Sequence, residues 1–66
     1  MASFAEKLKA LRGQNHMTQA QLAAALNVAR STVAGYETKS REPSHDKLNV
    51  MADLFHVSVD YLLDDS

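Results

Sequence analysis

The sequence predicts an all-α fold, a compact single domain of five short helices spanning residues 1–66. Three observations predict it. No stretch alternates apolar and polar residues with the period of two that a strand requires. Apolar residues recur instead at three- and four-residue spacing in each segment. A serine or threonine also stands ahead of most segments, where the first turn of a helix needs acceptors for its free N–H groups.

Ser3 followed by Glu6 forms a capping box, and Phe4, Leu8 and Leu11 then hold a helical period until Gly13. Gln14 to Met17 read as a short loop. Thr18 and Gln21 make a second capping box, opening a helix with Leu22, Ala23 and Leu26 on its inner side. Asn27 is one of the few non-glycine residues that tolerate a left-handed backbone, so the chain reverses there at low cost. A third helix runs from about Arg30 to Glu37 with Val33 and Tyr36 inward. Lys39 to Pro43 is a polar loop, because Pro43 biases Glu42 away from helical geometry. Ser44 caps a fourth helix carrying Leu48, Met51, Ala52 and Phe55, the strongest amphipathic stripe in the chain. Ser58 caps a last short helix with Val59, Leu62 and Leu63.

Composition narrows the function. A domain of 66 residues buries only ~60% of the surface its unfolded chain exposes. With no cysteine, neither a disulfide nor a thiolate metal site braces it. No apolar run approaches the ~20 residues of a membrane span, and no signal peptide is evident, so a soluble cytoplasmic protein is expected. Net charge is only −1, yet its distribution is uneven. Through Arg41 there are six basic and two acidic residues, and from Glu42 onward six acidic and one lysine. One end is thereby suited to a polyanion and the other is kept away from it, although short chains produce such swings by chance.

The run TQAQLAAALNVARSTVAGYE (residues 18–37) shows why a helix that could have continued is interrupted at Asn27. Two short helices joined by about three residues cross steeply, the helix-turn-helix arrangement. Ala23 is small where the two approach, and Leu22, Leu26, Val28 and Val33 lock the second to the first. In such a pair the first helix lies across a DNA backbone and the second enters the major groove.

This run resembles the helix-turn-helix of the phage repressor and Cro family, also called the Xre family. The likeness continues through KSREPS, DKLNVMADLF and HVSVDYLL, nearly the whole chain. It implies a lambda-repressor-like DNA-binding domain. Two departures stand out: the turn has Asn27 where the family usually has glycine, and Thr38-Lys39 replaces the common Asn-Gly or Arg-Gly.

The resemblance implies roles for particular residues. Arg30 and Ser31, opening the third helix opposite Val33, would reach base edges, with Arg30 gripping a guanine through two hydrogen bonds. The competing readings are a phosphate contact for Arg30 and a local helix-start bond for Ser31. Thr32 is a further base-contact candidate. Gly35, one turn beyond Ser31, would leave room for close approach of the duplex, or else marks a tolerant site. Gln19, beside Thr18 at a helix start where free N–H groups favour an anion, would contact phosphate and brace the recognition helix. Lys39, Ser40 and Arg41 would clamp the backbone, the alternative being mobile surface charges. Arg12 and Glu37 would form a structural ion pair, with Arg12 also able to touch phosphate.

Nothing points to catalysis, a metal or a cofactor. His16, His45 and His56 lack ligand spacing, and the adjacent carboxylates Asp64 and Asp65 point apart. No small-molecule ligand is evident either. The expected function is sequence-specific double-stranded DNA binding by a transcriptional regulator, a repressor on a palindromic operator. One module makes few base contacts, so a homodimer is expected, joined through Val59, Tyr61, Leu62 or Leu63. Those residues alternatively complete the monomer's core, Leu62 above all. The rival function is an antitoxin-like or other protein-interaction module on the same fold.

Overall fold

The computed structural model describes residues 3–64. It contains five helices: α1 (Phe4–Gln14), α2 (Gln19–Leu26), α3 (Arg30–Glu37), α4 (His45–Phe55) and α5 (Val59–Leu63). There is no strand among the described residues. The boundaries follow the caps. Ser3, Thr18, Ser44 and Ser58 each accept a hydrogen bond from a first-turn N–H of the helix they open. Both capping boxes close, since the Ser3 N–H donates to Glu6 at 3.2 Å and the Thr18 N–H to Gln21 at 2.8 Å. Helix α3 alone starts without a side-chain cap, because Ala29 occupies that place.

The bonds from Ser3 hold the Glu6 carboxyl below its ordinary 4.5, the backbone N–H contributing most. A carboxyl lowered on folding adds stability that is present above its unfolded value and lost as pH falls through the folded one. Thermal melts of the native chain and Glu6→Gln should therefore differ at neutral pH and converge in acid, as pH falls through the lowered value of the folded carboxyl. A pH-independent difference would show that the cap does not depend on the charge.

The helix ends share one device. After each of α1 to α4 a residue takes the left-handed backbone: His16, Asn27, Lys39 and His56, with φ of 56°, 59°, 67° and 58°. The next N–H then returns to the carbonyl five residues back, from Met17 to Arg12, Val28 to Ala23, Ser40 to Gly35 and Val57 to Ala52. This closure satisfies carbonyls that the helix leaves free. It also turns Met17, Val28 and Val57 down against the core. None of the four positions is glycine, so each carries a steric cost of about 1–2 kcal/mol, least for Asn27.

The core gathers around Leu8, Leu22, Leu26, Val33, Met51 and Leu62, all fully buried. Helices α2 and α3 pack on each other, α1 on α3, and α5 on α1 and α4. Two lysines stitch the elements. Lys47 of α4 donates to the Leu26 carbonyl at 2.7 Å, a cation at the negative end of α2. Lys7 is only 7% exposed. Its Nζ donates to the carbonyls of Tyr61 and Asp64 and lies 4.8 Å from the Tyr61 ring centre, tying α5 to α1.

Candidate nucleic-acid interface

Packing fixes the orientation of α3. Val33 and Tyr36 are buried, which leaves Arg30 and Ser31 exposed at its start and Thr38 exposed at its end. Thr32 and Ala34 are half-buried at the margin. Thr18 is exposed and Gln19 half-buried at the start of α2. Lys39, Ser40 and Arg41 are exposed in the loop after α3.

Behind this surface runs a hydrogen-bonded chain. Arg12 Nε donates to Glu37 Oε2 at 2.7 Å and its Nη2 to Oε1 at 3.1 Å, a two-pronged ion pair between α1 and α3. Arg12 Nη1 also donates to the Met17 carbonyl at 2.9 Å, fixing the loop that leads into α2. The bond to Glu37 raises the Arg12 guanidinium above its ordinary value, so it stays charged throughout the working range of pH. Gln19 Nε2 donates to Glu37 Oε1 at 3.2 Å, and Arg30 Nη1 donates to Gln19 Oε1 at 3.2 Å. Arg30 is thus anchored at one nitrogen but remains exposed and is not buried in an internal ion pair.

Two expectations need correction. Gly35 does not face outward with Ser31; it is buried beneath the returning loop. A Cβ there would lie 3.0 Å from Cγ and Cδ of Arg41. The Gly35 carbonyl accepts from the N–H groups of Ser40 at 3.0 Å and Arg41 at 3.2 Å, closing the loop. Its lack of a side chain makes room for Arg41 rather than for a ligand. Leu62 is 0% exposed in the core, so it presents nothing to a partner, whereas Tyr61 and Leu63 are 47% and 55% exposed. Val59 is partly buried against the core.

Sequence reasoning missed the structural roles of Lys7 and Lys39. Lys7 counted as one of six cations facing a polyanion, but its charge is spent on backbone carbonyls, and that of Arg12 on Glu37. Lys9, Arg30, Lys39 and Arg41 remain exposed from that set. Lys39 itself adopts the positive φ that glycine would take in an Asn-Gly loop, so the loop keeps its turn despite the different residues.

A helix-turn-helix family profile matches residues 8–62. The chain belongs to the helix-turn-helix family. Within this family it is 42% identical over 60 residues to the uncharacterized HTH-type transcriptional regulator YobD of Bacillus subtilis, covering 91% of this chain and 54% of the relative. A transcriptional regulator from Listeria innocua superposes with a TM-score of 0.88 at 38% identity, over 92% of this chain and 57% of that one. The biofilm master regulator SinR of Bacillus subtilis, solved in complex with DNA, superposes with a TM-score of 0.82 at 27% identity, over 92% and 98% of the two chains. The chain spans about half the length of the curated relatives it matches.

Among the described residues, no helix is long and apolar enough to cross a membrane, and no group of three or more His, Cys, Asp or Glu is placed to hold a metal ion. Asp65, the second of the two adjacent carboxylates near the chain end, lies outside the described residues.

Proposed function

We propose that this helix-turn-helix chain binds double-stranded DNA sequence-specifically and regulates transcription, as a cytoplasmic repressor that occupies a palindromic operator as a homodimer. The observation that carries this reading is the placement of α3: Val33 and Tyr36 anchor it from behind while Arg30 and Ser31 stand exposed at its uncapped start. Arg30, Ser31 and Thr32 read base edges in the major groove. Thr18, Gln19, Lys39, Ser40 and Arg41 hold the phosphates on either side. The SinR structure with DNA, at 27% identity, supports a duplex as the partner. Dimerisation uses the exposed Tyr61 and Leu63 with the margin of Val59, on the acidic end that phosphates repel. No catalysis and no small-molecule ligand enter this reading.

Selection of bound sequences from a random duplex pool, followed by titration of the winner at several salt concentrations, tests it. Each phosphate neutralised contributes a log–log slope of about −0.9, so the two cations per copy on the backbone, Lys39 and Arg41, give about −2 per copy bound. Arg30→Ala should keep the fold and lose about 1–3 kcal/mol of discrimination at one base pair of each half-site. No selected sequence and a flat salt response would sink the proposal and favour a protein-interaction module.

A further inference from the structure

We infer that a hollow between the start of α1, the end of α3 and the loop that follows is a binding site for a small monocarboxylate with an apolar body, and that its occupant competes with the phosphates of DNA. The site itself rests on the geometry of the free chain. The competition rests in addition on the proposed phosphate contacts of Lys39 and Arg41.

The hollow measures about 200 Å3, room for a benzene-sized ring. Phe4, Ala5 and Tyr36 supply its apolar walls, and Lys39 and Arg41 bring two cations to it. The Arg41 stem lies against α3 where Gly35 has no side chain, so this cation is held beside the hollow. Glu42 lines it too and sets a limit: two positive charges against one negative leave a place for a single anionic group, and a dianion would meet repulsion. Glu6 feels the charge of Lys39, but its carboxylate is engaged by Ser3. A second hollow of about 250 Å3 shares Phe4 and Glu42 with the first, and Pro43, Leu48 and Leu63 extend the apolar lining there. An alkyl or aryl body thus has somewhere to go beyond the charged head.

An independent observation concerns the polar end of the ligand. Tyr36 is 5% exposed, yet its hydroxyl has no hydrogen-bond partner among the described residues. A phenol sealed to that degree ordinarily finds one. The hydroxyl oxygen is nevertheless not closed off from outside, and the space that Tyr36 lines is this hollow. A carboxylate drawn in by the two cations supplies the acceptor that the phenol lacks. Once there, it engages the same lysine and arginine that the loop would otherwise offer to phosphate.

The test titrates the full chain with phenylbutyrate, using phenylbutanol as the uncharged counterpart, and follows the backbone amides by NMR. A fragment of this size should bind with a Kd on the order of 1 mM and move the amides of Ala5, Tyr36 and Arg41. The alcohol should bind about tenfold more weakly, since it forgoes the charge-assisted bonds. Tyr36→Phe should keep the native urea midpoint but bind phenylbutyrate about threefold to tenfold more weakly. On the selected duplex, saturating phenylbutyrate should weaken binding and flatten the salt slope by up to about 2 per copy, against an equal concentration of sodium chloride. Absent shifts, or equal binding of acid and alcohol, overturn the site. A lowered midpoint in Tyr36→Phe overturns it too, because the hydroxyl would then be satisfied within the fold. If the same amides shift when the free protein is diluted a hundredfold, a second copy fills the hollow and the site again falls. Phenylbutyrate bound with duplex affinity unchanged overturns the competition alone. Should no duplex bind at all, the DNA reading fails by itself and the phenylbutyrate titration still decides the site.

Discussion

Glu37→Ala is expected to cost about 3–5 kcal/mol of stability, toward the lower figure because the Arg12 side chain remains 18% exposed. The carboxylate is nearly sealed, accepts two bonds from Arg12 and one from Gln19, and is the point where α1, α2 and α3 meet. Removing it leaves a guanidinium with only the Met17 carbonyl as partner, in surroundings arranged for an anion. A chain of 66 residues has a total stability of about 3–10 kcal/mol, so this one change takes a large share. Urea denaturation at 25 °C measures it. The origin is separable: if stranded charge is the cause, Arg12→Met combined with Glu37→Met should recover most of the loss, since neither charge is then left alone. A cost below about 1 kcal/mol would mean that the pair behaves like any surface ion pair.

The same residue shows what a sequence conceals. That Arg12 and Glu37 meet was available from family likeness, and the helices themselves from their caps and periods. The likeness also had Gln19 bracing the recognition helix, but the partners through which it does so, Glu37 and Arg30, were not available, because they depend on the angle at which α2 crosses α3. Helical periodicity placed Gly35 outside with Ser31, and a lone helix would have it there; the loop that folds back over it is a tertiary event. Asn27 announced its left-handed backbone by its chemistry. His16, Lys39 and His56 adopt the same geometry without any such signal, since histidine and lysine hold it only when the bonds around them demand it. Lys7 misled for a related reason. Its charge is visible in the sequence, but the carbonyls at the α5 end that consume it come from the far end of the chain. What the sequence states locally was legible, and what one helix does to another was not.

The division of labour within α5 yields the other large effect. Leu62 is fully buried between α1 and α4, whereas its neighbours Tyr61 and Leu63 are about half exposed. Leu62→Ala should cost about 2–5 kcal/mol, the lost burial plus the cavity left behind. The loss should not depend on protein concentration, because Leu62 belongs to the fold of one copy. Leu63→Ala, by contrast, should leave the monomer's urea midpoint nearly unchanged, since an exposed side chain contributes little to it. If the proposed dimer forms through this end, Leu63→Ala weakens self-association and lowers operator affinity without altering the base preference. Denaturation at protein concentrations a hundredfold apart, with sedimentation of both variants, separates the two roles. Helix α5 is too short to persist alone, and without Leu62 neither the bonds from Lys7 nor the margin of Val59 replaces the buried side chain. A concentration-dependent loss in Leu62→Ala would instead place that leucine at an interface, and the packing of α5 on α1 would then need another anchor.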